Sequence, residues 1–120
     1  MPRKRILLAE DNEFNRDLIT QILGGEYDIL AVMDGAAVIA TAMEERPDLI
    51  LMDMGLPMVD GWEATRRIKE HAALKAIPVV AVTSHAMRED AQRARAAGCD
   101  DYLAKPIDED DLVAKIRKLI

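Results

Sequence analysis

Glu10, Asp11, Asp53, Thr83 and Lys105 each stand where a short apolar run gives way to polar residues. If those runs are strands of one parallel sheet, the five side chains meet, because ligands of open α/β sheets bind outside the carboxyl ends of the strands. Three carboxylates, a hydroxyl and an ammonium in one cleft suit a hard cation and a phosphate. Singly, each residue has a plainer reading: acids at strand ends cap helices, a threonine ends a strand, and Lys105-Pro106 forms a turn. Only the constellation favours the chemistry.

The elements that must position these residues follow from the apolar pattern. Ile6 to Ala9, Leu49 to Met52, Val79 to Val82 and Leu103-Ala104 are apolar throughout, as suits strands buried on both faces, and Tyr27 to Val32 supplies one more strand. Segments of helical length and period lie between them, so strand and helix alternate and the fold class is α/β. In the first helix Asn12 is the expected N-cap, Phe14, Leu18 and Ile22 form a stripe beside Ile19 and Leu23, and Gly24-Gly25 ends it. The second runs from Asp34-Gly35 to about Glu45, before Pro47. A third starts near Asp60-Gly61 and turns Trp62, Thr65 and Ile68 to the sheet. The last starts at Asp108 and presents Leu112, Val113, Ile116 and Leu119 to the core, with acids in its first turn and Lys115, Arg117 and Lys118 near its end, complementing its dipole. The fourth, from about Met87 to Ala97, carries only Met87 and alanines as apolar groups, so it buries little area and is expected to be the most easily displaced.

With 120 residues, half of them hydrophobic, the chain has the size and composition of one domain, residues 1–120. No apolar stretch approaches the roughly 20 residues of a membrane span, and Met1 to Arg5 lacks the apolar region of a signal peptide. No membrane association and a cytoplasmic location are therefore expected. The single cysteine, Cys99, excludes an internal disulfide and reads as a small packing group. A net charge of −6 argues against direct binding of nucleic acid, which needs a basic patch. Arg3-Lys4-Arg5, the one basic run, reads as a solvated lead-in to the first strand. His71 reads as a surface residue, and Trp62 and the methionines as packing groups.

The stretch Ile6 to Asn12, the loop Asp53 to Gly61, Val82-Thr83-Ser84 and Tyr102 to Pro106 together resemble the receiver domain of two-component response regulators, the chemotaxis-regulator-like single domains included. The likeness spans the chain, in order. It implies a doubly wound, flavodoxin-like sheet of five parallel strands in the order 2-1-3-4-5, flanked by five helices. It further implies a switch whose phosphoacceptor, Asp53, takes a phosphoryl group from a histidine kinase or histidine phosphotransfer protein with Mg²⁺. By resemblance, Asp11, Asp53 and the backbone carbonyl of Gly55 bind the metal directly and Glu10 acts mainly through water. Thr83 and Lys105 hold the phosphoryl oxygens, and Pro106 can take a cis peptide that aims the lysine inward. Glu10 replaces the aspartate often found first in the acidic pair, and its longer arm alters the water geometry while leaving the role intact. Tyr102 is either the aromatic that moves inward when Thr83 engages the phosphoryl group, or a half-buried strand tyrosine. Gly55 and His85 flank the path of an attacking water, His85 either touching that water or simply solvated.

As implied, the chain signals through the face of helix four, strand five and helix five, where Arg88, Arg93 and Arg95 mix with Asp108 to Asp111. The partner there is a downstream protein target, or a second copy in a homodimer formed on phosphorylation. It is not an enzyme in the ordinary sense, since it catalyses only its own phosphoryl transfer and dephosphorylation. The run Glu10 to Arg16 resembles both single-domain regulators and receivers joined to hybrid kinases, and leaves both open. A flavin carrier on the same fold would need glycine, serine and threonine donors where Glu10 to Asn15 is acidic. A hydrolase with an aspartyl intermediate would need a capping insertion, and a nucleotide-binding enzyme a phosphate-cradling glycine loop; neither is present.

Overall fold

A computed structural model of the chain describes residues 3–84 and 88–120, the side chains of 88–91 excepted. Met87 and His85 lie outside the described residues, as does the side chain of Arg88. Strands and helices alternate as β1 (Arg5–Ala9), α1 (Glu13–Leu23), β2 (Asp28–Val32), α2 (Gly35–Glu45), β3 (Leu49–Asp53), α3 (Gly61–Glu70), β4 (Val79–Thr83), α4 (Arg88–Ala97), β5 (Asp101–Ala104) and α5 (Glu109–Leu119). All pairings are parallel and the order is β2-β1-β3-β4-β5, the flavodoxin-like arrangement expected. β3 and β4 are buried at every residue, as central strands covered on both faces must be.

Alternate strand residues face opposite layers. Ile6, Leu8, Leu49, Leu51, Val80, Val82 and Leu103 pack with Ile19 and Leu23 of α1 and Leu112 and Ile116 of α5. Leu7, Ala9, Ile50, Met52, Val79 and Ala81 pack with Val38 and Ala42 of α2, Ala64 and Ile68 of α3 and Ala94 of α4. Asn12, Asp34, Asp60 and Asp108 each cap a helix by accepting the backbone N–H three residues on. The loops before α2 and α3 dock closely. A Cβ on Gly35 would stand 1.7 Å from the Val59 carbonyl oxygen, and one on Gly61 2.4 Å from that of Asp53, so both helix starts need glycine to reach the sheet edge.

Several expectations are corrected. Phe14 is 75% exposed, and Leu18 and Ile22 of the same stripe are only half-buried, because α1 turns the neighbouring line of Ile19 and Leu23 to the sheet and Phe14 lies well round the helix from it. Arg5 is no solvated lead-in: it is the first residue of β1 and ion-pairs with Glu45. Met33, Met43 and Met58 are exposed, whereas Met52 and Met54 are packing groups. Arg93 does not join the acids of α5 but lies over the Trp62 ring of α3.

Candidate functional site

Strand register decides which side chains meet. Ala9 stands opposite Met52, Asp53 opposite Val82, and Thr83 opposite Ala104. One residue on from the first pair, Glu10 stands beside Asp53, and from the level of Asp53 and Val82 the residue Thr83 lies one step and Lys105 two steps farther along β4 and past β5, so all four gather at the carboxyl edge of the sheet. Backbone bonds past the strand ends hold this edge: Met54 N–H donates to the Val82 carbonyl at 3.0 Å and Lys105 N–H to that of Thr83 at 2.8 Å. Three strand spacings amount to about 14 Å, and the long side chains of Lys105 and Glu10 close that distance from opposite sides. The Lys105 Nζ stands 2.9 Å from Glu10 Oε1 and 3.3 Å from Asp53 Oδ2. The Lys105-Pro106 peptide is cis.

Glu10, Asp53 and Thr83 are buried while Asp11 is exposed. Neither carboxylate oxygen of Glu10 has a well-directed hydrogen bond; the Lys105 ammonium is near enough for charge attraction only. Burial, and next the proton it can share with Asp53, push the Glu10 carboxyl up to about 7, against the opposing pull of Lys105. Burial acts on Asp53 the same way, but Glu10, the Gly55 N–H and the Lys105 ammonium outweigh it and hold Asp53 below the usual carboxylate range. The Gly55 N–H donates to Asp53 Oδ1 at 3.1 Å. Burial would lower Lys105, but its two carboxylate partners raise it, so it stays charged.

Glu10, Asp11 and Asp53 each offer a carboxylate oxygen within 4.8 Å of the others. Oxygen donors this close fit a hard divalent cation, and buried oxygens without hydrogen-bond donors are the ones that a cation would satisfy. A cleft of about 220 Å³ opens beside Asp53, lined also by Met54, Gly55, Thr83, Ser84, Trp62 and Arg93. Its mixture of acceptor carboxylate, hydroxyls and guanidinium can hold a small anion next to a nucleophilic carboxylate. Ser84, Trp62 and Arg93 were not read from the sequence as lining residues of this cleft. Ser84 follows Thr83 directly and could have been found from that; Trp62 and Arg93 come from helices whose packing the strand-end argument does not address. Tyr102 lies on β5 outside this cleft, half-buried in the layer of α2, α3 and α4, with Lys115 Nζ 5.0 Å from its ring centroid.

Residues 6–117 match the family model of the response regulator receiver domain. The polar-differentiation response regulator DivK of Brucella anthropi is 38% identical over 118 residues, covering 98% of this chain and 96% of the relative. Among solved structures, the receiver domain of a sensor histidine kinase from Pseudomonas aeruginosa, with a magnesium ion coordinated in its active site cleft, is 36% identical at a TM-score of 0.90, covering 98% of this chain and 97% of that one. Chemotaxis protein CheY4 of Vibrio cholerae, 23% identical at a TM-score of 0.91 over 98% and 99% of the two chains, shares the fold.

Proposed function

The chain belongs to the response regulator receiver domain family, and on that premise we propose that residues 1–120 form one phosphorylation-dependent switch with Asp53 as phosphoacceptor. The observation that carries the reading is the meeting of Asp53, held ionised, with Lys105 at 3.3 Å and the acids Glu10 and Asp11 beside it. An Asp53 oxygen attacks the phosphorus of a phosphohistidine on a kinase or phosphotransfer protein. The P–N bond breaks, its electron pair returns to the imidazole, and that ring takes up a proton. Attack of anion on anion is slow unless charge is neutralised and the groups are aligned. Lys105 supplies one cation and the Thr83 hydroxyl one donor to the transferred group. Glu10, Asp11, Asp53 and the Gly55 carbonyl are the residues that would hold Mg²⁺, which when bound offsets the charge on the phosphoryl oxygens. The magnesium in the Pseudomonas aeruginosa receiver domain supports that assignment. Water later returns the carboxylate, a reaction the chain accelerates only on itself.

The output surface in this reading is α4, β5 and α5. Among the described residues α4 buries only Ala94, so it is the helix most easily shifted when Thr83 is drawn to the phosphoryl group and Tyr102 follows. A charged downstream protein or a second copy binds there. The protein works in the cytoplasm without contacting nucleic acid or membrane; no described helix is long and apolar enough to cross a membrane.

Mg²⁺ and acetyl phosphate should add one phosphoryl group to the wild-type protein and none to Asp53→Asn, read by intact mass spectrometry. Equal labelling of the variant would refute the assignment. Hydrogen exchange with and without beryllofluoride should differ most in α4 and β5 and little in α2; a change confined to α1 would overturn the output surface while leaving Asp53 in place.

A further inference from the structure

β1 ends at Ala9, so the two acids that follow it lie beyond the regular ladder and need other partners to hold their backbone. The Glu10 N–H donates to the Val32 carbonyl at 3.0 Å, which fixes one side of that residue. The carbonyls of Glu10 and Asp11 both accept from a single nitrogen of Arg16, in the second turn of α1. Its Nη1 stands 3.2 Å from the Glu10 oxygen and 3.2 Å from the Asp11 oxygen. The backbone N–H of Arg16 donates in turn to the Asn12 carbonyl at 2.9 Å. One half-buried arginine thus takes up three consecutive carbonyls of the acidic loop, and among the described residues it makes no ion pair.

The two carbonyls held by the guanidinium belong to the peptide planes on either side of the Asp11 Cα, and those planes set the direction in which its carboxylate projects. This matters because Glu10, Asp11 and Asp53 repel one another when ionised. Asp11 is the exposed one of the three and the least constrained by packing. A loop that opened under the repulsion would have to be ordered again each time an ion bound, and a loop already fixed avoids that cost.

We propose that Arg16 is a positioning residue for the divalent cation: it acts through the backbone of the acidic loop, holding the Asp11 carboxylate where the ion is bound. The inference rests on Glu10, Asp11 and Asp53 being the acids that hold the metal. Charge alone would give the opposite sign. A guanidinium beside a cation site repels the ion, so an arginine acting only by its charge would weaken metal binding, and its removal would tighten it.

Calorimetric titration of the chelator-treated protein with Mg²⁺ tests the sign. Arg16→Gln should bind Mg²⁺ about tenfold more weakly than wild type, the lower end of what losing a group that orients metal ligands costs. Arg16→Lys should stay within about threefold of wild type, since an ammonium has donors for both carbonyls. Labelling of Arg16→Gln by acetyl phosphate should be slow at limiting Mg²⁺ and return to within about twofold of wild type at saturation, because the arginine holds no part of the transferred group. Binding of Mg²⁺ by Arg16→Gln as tight as wild type, or tighter, would overturn the positioning role. So would a labelling defect that Mg²⁺ does not restore, or equal losses in both variants, which would mark a general disturbance of α1. If Asp11→Asn bound Mg²⁺ as well as wild type, the metal-site reading would fall and this inference with it; weakened binding in Asp11→Asn beside wild-type affinity in Arg16→Gln would leave that reading standing and remove Arg16 alone.

Discussion

The two ends of the sheet treat charge in opposite ways. At the amino end of the strands, charged groups are stapled to named partners. Arg5 donates to the Glu45 carbonyl at 2.8 Å and to its carboxylate, while its own N–H donates to Asp48 at 2.8 Å. Lys69 Nζ donates to the Ile77 carbonyl at 2.8 Å and to Asp100 at 2.9 Å, and the same Asp100 oxygen accepts the Val79 N–H at 2.8 Å. At the carboxyl end Glu10 is buried without a hydrogen bond, one strand from a second carboxylate and near a third. One end ties the elements together. The other holds crowded acids whose mutual repulsion is relieved by Lys105, by a proton on Glu10 or by a bound cation, which is a state built for a ligand.

The largest effect expected from this contrast is a pH dependence that comes from the carboxyl end. Glu10 titrates from 4.5 in the unfolded chain to about 7 in the fold. Between those values the folded state keeps a proton that the unfolded state has lost, so stability falls as pH rises through the window and the whole cost is present above it. The bound on that cost, without metal, is roughly 3 kcal/mol. Glu10→Gln should remove most of the slope and be more stable than the wild type at pH 8, as measured by urea unfolding in a chelator. A variant less stable than the wild type at pH 8 would mean that the carboxyl end is not strained.

The amino end should respond in the opposite sense. Asp100→Ala removes the acceptor of the Val79 N–H, whose residue is fully buried, and leaves Lys69 without its carboxylate. A loss of about 2 kcal/mol is expected, the usual cost of a buried donor left unpaired. Since Asp100 is remote from the acids at the other end, labelling of Asp53 by acetyl phosphate should persist in this variant. Loss of labelling in a folded Asp100→Ala protein would show that the two ends are coupled.

The two ends also differ in how much of them could be read beforehand. Glu10, Asp11, Asp53, Thr83 and Lys105 were legible because they stand at or just past the ends of four strands, and parallel topology brings strand ends together whatever the helices do. The strand order came from the likeness to receiver domains rather than from the apolar runs, which fit other orders equally well. The amino-end staples were invisible: Lys69 and Asp100 are 31 residues apart, and Arg5 looked like part of a basic lead-in. Arg93 was read onto the wrong surface for a related reason. Polar residues on a poorly buried helix carry little sign of which neighbour they face, and only the packing of α4 beside α3 brings Arg93 over Trp62. Phe14 failed on the reverse error, an apolar residue at helical spacing from Leu18 and Ile22 but round the helix from Ile19 and Leu23, the side chains that α1 buries.

The smallest expected effect sharpens the contrast within the amino end itself. Arg117 of α5 and Glu26, in the turn before β2, pair at 2.6 Å, a shorter contact than that of Lys69 with Asp100. Distance alone would make it the stronger staple. Both side chains are more than half exposed, however, so water competes for each charge, and two long side chains must be ordered to form the pair. Lys69 is largely buried and carries two backbone carbonyls besides its carboxylate. Arg117→Ala should therefore leave the urea midpoint unchanged within error at physiological salt, alone or combined with Glu26→Ala, while Asp100→Ala shifts it clearly. A midpoint shift for Arg117→Ala as large as that for Asp100→Ala would show that contact distance, rather than burial and backbone satisfaction, decides which ion pairs hold this end of the sheet.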